Sequence, residues 1–211
     1  MTEGSAARLD ELLGRWEPLT WVFTGDSITQ GLVHTHGSRC WVEHVHERIR
    51  GELGRRLDVV VNTGVAGWTA PLVLDALDHL ALRFGPDVVS VALGMNDAGA
   101  GRYGLDGFGR DLHAIADRVL DSGAVLVLHT PSLADPAVPG HGDLPAYAQV
   151  VREIADATAA ILVDHTGQWS RRFGTDRPLE WLDDPFHPNA RGHAAMAALT
   201  LQALRLGPLG G

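Results

Sequence analysis

An α/β fold, with a five-stranded parallel sheet between two layers of helices, is predicted by three observations. Short apolar runs alternate with longer amphipathic stretches five times along the chain. The runs are apolar at nearly every position, as strands are when helices cover both faces of their sheet. Three of the runs end abruptly in polar, glycine-rich turns, at 25–31, 62–67 and 94–97. In a parallel three-layer sandwich those strand ends share one rim, where functional groups collect.

Each element has its own signal. Leu9, Leu12, Leu13 and Trp16 recur at helical spacing until Pro18. Residues 5–16 therefore read as an amphipathic helix, and 1–18 as a helical appendage packed on one domain spanning 19–211. Residues 19–24 form the first strand. Ser38 suits the N-cap of a helix running to about Leu53, with Gly54 as its stop. Residues 59–61 are the second strand. Thr69 caps a helix with Pro71 in its first turn, ended by Gly85-Pro86. Residues 88–93 are the third strand, followed by a glycine-rich loop to about Leu105 and a helix to about Leu120. Residues 124–128 are the fourth strand. The stretch 131–145 holds four prolines and two glycines and reads as a loop or lid. A helix over 145–159 leads to the fifth strand, 160–163. Residues 165–188 read as irregular, with room for one helical turn. Asn189 caps a last helix to Leu206, stopped by Gly207-Pro208.

Composition narrows the function. The chain has 211 residues, 45% of them hydrophobic, enough for one sizeable core. A net charge of −9 gains nothing from a phosphate backbone, so no nucleic-acid partner is expected. Cys40 is the single cysteine, which excludes an internal disulfide and a thiolate metal cluster. Residues 1–10 lack a basic start followed by an apolar core, so no signal peptide is seen. No apolar run approaches the roughly 20 residues of a membrane span. The expectation is a cytoplasmic protein with no membrane span; its oligomeric state is not read. No Gly-x-x-x-x-Gly-Lys occurs, and Asp26 would repel a phosphate at the first strand's end. A flavin or nucleotide is therefore not expected, nor any other cofactor.

Several residues have the chemistry of acyl transfer. Ser27 follows the first strand and has two readings, helix N-cap or nucleophile. In Asp184-Pro185-Phe186-His187-Pro188-Asn189, the Asp184 carboxylate can accept from His187 Nδ1–H. Nε2 is then free to take a proton from a serine. Pro188 disfavours a helical conformation at His187 and keeps it in a loop. The same segment also reads as a polar surface turn capped by Asn189, and Asp183 offers a competing carboxylate. The Ser27 amide, Gly67 and the Asn96 side chain are candidate donors to an oxyanion. Gly67 and Asn96 are also ordinary turn formers, and Gly64 shares the turn with Gly67. Trp68, His34 and Tyr103 lie in or beside the rim and are candidate substrate contacts, with core packing or solvation as alternatives. Trp169 and Trp181 have the same two readings. His34, His36, His44 and His46 invite a metal, but His44 and His46 are two apart on a predicted helix and diverge around it. No metal is expected.

Taken in order, Gly25-Asp26-Ser27-Ile28-Thr29, Asn62-Thr63-Gly64-Val65-Ala66-Gly67, Gly94-Met95-Asn96-Asp97 and Asp184-x-x-His187 resemble the four blocks of the SGNH (GDSL-type) hydrolases. They span most of the chain. The resemblance implies a flavodoxin-like sandwich of five parallel strands, in agreement with the strand count above. It implies a serine esterase acting on a small-molecule acyl ester, with Ser27 as nucleophile, His187 as general base and acid, and Asp184 as its orienter. It also implies an oxyanion hole of Ser27, Gly67 and Asn96, and it favours Gly67 over Gly64. Asp26 and Asp97 become hydrogen-bonding scaffold. An acyltransferase with an alcohol acceptor uses the same nucleophile, and a non-catalytic binding module on this scaffold is the remaining alternative.

Overall fold

The structure is a computed structural model and describes residues 4–100, 104–137 and 141–207. In chain order its elements are α1 (Ser5–Leu13), β1 (Thr20–Gly25), α2 (Ser27–Gln30), α3 (Trp41–His46), β2 (Val59–Asn62), α4 (Ala70–Asp75), α5 (Leu77–Leu80), β3 (Val88–Ala92), α6 (Met95–Ala100), α7 (Gly104–Asp121), β4 (Val125–His129), α8 (Leu144–Ala157), β5 (Ile161–Val163), α9 (His165–Phe173) and α10 (Ala190–Ala203). The strands form one parallel sheet in the order β2-β1-β3-β4-β5. Alternation along each strand divides the core. Trp21 and Phe23 of β1, with Val125 and Val127 of β4, face α1, α3 and α10. Val22, Leu126 and Leu128 face α4, α5, α7 and α8. Each face excludes water from a continuous apolar layer, the main favourable term in folding.

The chain leaves β1 to one side for β2 and to the other for β3, so the crevice between these crossovers opens at the C-terminal end of β1. Asp58, buried just before β2, secures the opposite, N-terminal end of the sheet. Its carboxylate accepts from Leu19 N–H (3.1 Å), Trp21 Nε1–H (2.9 Å) and Arg55 Nε–H (2.7 Å). Asp58→Ala would strand three donors and is expected to lower the unfolding free energy by about 3 kcal/mol in a urea titration. A loss below about 1 kcal/mol would show that Asp58 does not tie the two strands together.

Several elements differ from the sequence expectation, each for a local reason. The first helix ends at Leu13, and Trp16 is 97% exposed rather than packed on the core. The second helix starts at Trp41, not after Ser38. Cys40 N–H is held by Glu43 Oε2 at 2.7 Å, and the helix continues as a wider π-helical stretch, Glu47–Glu52. The stretch after Thr69 is broken into α4, α5 and a 3₁₀ turn, Leu82–Phe84, instead of one helix. The expected glycine-rich loop after β3 contains α6, whose first turn is closed by Ala98 N–H on Gly94 O (3.0 Å). The stretch read as irregular contains α9, nine residues long and N-capped by Asp164 on Gly167 N–H (3.1 Å). Its polar sequence hides an inward face of His165, Trp169 and Phe173, spaced every fourth residue. Asn189 does cap α10, accepting from Arg191 and Gly192 N–H. Among the described residues no helix is long and apolar enough to cross a membrane.

Candidate active site

The rim turns meet above β1. Asp26 occupies the N-cap of α2, its Oδ1 accepting from Ile28 N–H at 2.9 Å. That removes the cap reading of Ser27, which is instead the first helical residue, with its hydroxyl free to face outward. Burial pushes the Asp26 carboxyl up to about 7, against the pull of the Ile28 N–H and with the nearby Asp97 charge adding to the rise.

Ser27 Oγ lies 2.9 Å from His187 Nε2. His187 Nδ1 lies 2.7 Å from Asp184 Oδ2, and the other Asp184 oxygen accepts from the N–H groups of Phe186 (3.0 Å) and His187 (2.7 Å). Partial burial works to raise the Asp184 carboxyl, but the Phe186 N–H and the His187 ring and N–H together hold it below the ordinary carboxylate range. An anionic Asp184 requires a proton on His187 Nδ1 and leaves the Nε2 lone pair toward Ser27. Asp183 turns away from this ring. Its carboxylate pairs with His34 Nδ1 (3.0 Å) and His36 Nε2 (2.6 Å).

The second and third turns close the floor. Asn62 Nδ2–H donates to Thr29 O (2.8 Å), and Ala66 N–H donates to Gln30 Oε1 (3.1 Å), lacing the second turn to α2. The two glycines of that turn separate by their surroundings. A Cβ on Gly64 would lie 2.4 Å from Gln30 N, so Gly64 is needed for close packing on α2. Gly67 has φ +77° with open space around it, its N–H without a hydrogen bond among the described residues. Asn96 Nδ2 donates one hydrogen to Trp68 O at 3.0 Å, which fixes the amide orientation and leaves its second hydrogen unspent. Asp97 braces both turns, accepting from Ala70 N–H (2.8 Å) and Gly94 N–H (3.1 Å).

The remaining candidates fall apart into separate places. Trp68 is half-buried and packs with the α4, α7 and α8 core. Trp169 is fully buried and, with Phe173 and Trp181, makes a separate aromatic cluster, so these two tryptophans pack rather than line the rim. Tyr103 lies outside the described residues. His34 stacks on His187, centroids 3.7 Å apart and planes within 6°. His34, Asp184 and His187 are near enough for one ion. However, a metal must lie in the plane of each imidazole, and two stacked rings aim their lone pairs along parallel lines rather than at a common point. The stack itself was not legible in the sequence. Its only trace was a pair of histidines in a loop of unknown direction.

The profile of the GDSL-like lipase/acylhydrolase family matches residues 23–195, from the end of β1 into α10. The chain belongs to this family. It is a GDSL-type esterase, a serine hydrolase of carboxylic esters. An acetylxylan esterase from Geobacillus stearothermophilus is 26% identical over 208 residues, covering 87% of this chain and 92% of that protein. A crystal structure of that esterase superposes with a TM-score of 0.75 at 24% identity, over 88% of this chain and 94% of that one. Solved forms of it include catalytic variants at a serine, an aspartate and a histidine. An α/β hydrolase from the metagenome of Lake Arreo, Spain, superposes with a TM-score of 0.79 at 21% identity, over 93% and 99% of the two chains. These likenesses show the same fold over most of the length of both chains.

Proposed function

We propose that this GDSL-type esterase removes acetyl groups from esters through an acyl-enzyme on Ser27, with His187 and Asp184 completing its triad. The observation that carries this reading is the unbroken chain from Ser27 Oγ through His187 to Asp184, at 2.9 and 2.7 Å. His187 Nε2 takes the Ser27 proton as Oγ bonds to the acyl carbon. The negative charge on the former carbonyl oxygen meets the N–H groups of Ser27 and Gly67 and the unspent Asn96 amide hydrogen. The acyl–oxygen bond then breaks, the proton passes from His187 to the departing alcohol, and water repeats the sequence to release acetate. The acetylxylan esterase relative motivates the acetyl group and a carbohydrate alcohol. A cavity of about 490 Å³ lined in part by Leu133, Pro136, His141 and Pro178 offers room for that alcohol. It borders the catalytic turn, since Asp135 N–H donates to Pro185 O (2.6 Å) and His141 stacks on Phe186.

Hydrolysis of p-nitrophenyl esters of graded acyl length, beside acetylated xylo-oligosaccharides, tests the assignment. Acetyl esters are expected to be cleaved at least about tenfold faster than octanoyl esters, because one misfit methylene changes discrimination by about tenfold or more. Preference for the long chain would overturn the acetyl assignment. His187→Ala removes the base and is expected to abolish most turnover; near-normal turnover would remove His187 from the role of base.

A further inference from the structure

We propose that His34 is a positioning residue for His187, a flat wall anchored by Asp183 that holds the catalytic imidazole in the plane where both of its nitrogens meet their partners. This rests on the triad reading above. The torsion that rotates an imidazole about its Cβ–Cγ bond is broad, so histidine does not set its own ring plane. Here the plane is set from outside. The His34 ring lies parallel to His187 at 3.7 Å and 6°, and the Phe186 ring lies 4.5 Å away at 44°.

The wall is itself fixed. His34 Nδ1 bonds to one Asp183 oxygen at 3.0 Å, and His36 Nε2 bonds to the other at 2.6 Å. Asp183 N–H donates to His187 O at 2.9 Å, so the anchor belongs to the same turn as the base it serves. The loop is bent to reach it. Val33 has φ +68°, an outlier for a β-branched residue, and His36 has φ +49°. Such strain persists where surrounding contacts over-determine the conformation, and it gathers at functional sites. Thr35, buried between the two histidines, holds the bend by donating from Oγ1 to Gly31 O at 3.2 Å. Leu32 and Val33 stand 62% and 77% exposed at the tip, so the loop is not shaped by burying them. The contact it does make is the stack.

The full chain carrying His34→Ala, His34→Phe or Asp183→Asn, with Ser27→Ala as a control, tests this on p-nitrophenyl acetate and with a fluorophosphonate label. His34→Ala is expected to lower kcat by about 10- to 100-fold, the scale of misplacing a catalytic group. Its KM should stay within about twofold and its labelling rate should fall in step with kcat. His34→Phe keeps a flat ring but loses the Asp183 anchor, so it is expected to recover kcat above that of His34→Ala, to within about tenfold of the parent. Asp183→Asn loosens the anchor and should lower kcat by up to about tenfold, a readout that does not depend on His34→Ala folding. The proposal is overturned if His34→Ala keeps kcat within twofold, if its loss lies in KM, or if His34→Phe is no better than His34→Ala. Activity surviving in Ser27→Ala would instead sink the triad on which the proposal stands.

Discussion

Ser27→Ala is expected to lower kcat/KM for an aryl acetate by at least about 10⁴-fold while leaving the fold intact. Among the described residues the hydroxyl bonds only to His187 Nε2, at 2.9 Å, and it supports neither the α2 cap, which Asp26 makes, nor a packing contact in the core. Its removal therefore takes away the nucleophile and little else. The remaining catalysis would come from the oxyanion donors and substrate binding alone, a residual about 10³- to 10⁴-fold above water in enzymes of this mechanism. Steady-state rates, fluorophosphonate labelling and a thermal melt together check the outcome. Labelling should vanish, and the melting temperature should move by less than about 2 °C. Near-normal turnover in the variant would place the nucleophile elsewhere.

The adjacent carboxylates Asp183 and Asp184 should behave very differently. Asp184→Asn is expected to reduce kcat by about 10³- to 10⁴-fold. One Asp184 oxygen holds His187 Nδ1 and the other accepts two backbone N–H groups, so the side chain both builds the turn and selects the tautomer. An amide keeps one acceptor. If that acceptor serves the backbone, the amide N–H₂ faces His187 Nδ1, which must then give up its own hydrogen. The proton moves to Nε2, where it blocks attack by Ser27. The Asp183 carboxylate touches His34 and His36 rather than the His187 ring, and its replacement acts only through the wall they form. The ratio of the two losses, measured under saturating substrate, should exceed about 100 in favour of Asp184. The opposite ratio would transfer the orienting role to Asp183.

The difference between these neighbours shows where sequence reasoning reached and where it stopped. Asp184 and His187 are three residues apart, and their pairing follows from a short turn that Pro188 keeps out of a helix. The Asn189 cap, the strand count and the inward-facing alternation are equally local, since each depends on side chains within a turn or a strand length. The breaks in the helices were less legible. Asp164 and the spacing of His165, Trp169 and Phe173 signalled α9, but Gly167 and the two arginines Arg171 and Arg172 masked it. Trp16 fits a helical pattern in sequence and still lies in solvent, because α1 stops at Leu13 before that side chain can turn inward.

By itself the sequence determined which chemical groups exist and in which turns they stand: an α/β chain with a serine after the first strand, a paired acid and histidine before the last helix, and amide donors at two other strand ends. Only the tertiary structure decided which of them meet. Ser27 and His187 are 160 residues apart, and His34 and Asp183 are 149 apart. Neither distance leaves a trace in local spacing. The sheet order β2-β1-β3-β4-β5 brings the rim turns together, and packing on α2 then separates Gly64, which has no room for a side chain, from Gly67, which stands open to a ligand. The physical reason is that local hydrogen bonding and hydrophobic periodicity act over a few residues. The contacts that aim a side chain at its partner arise only when distant segments are packed against one sheet.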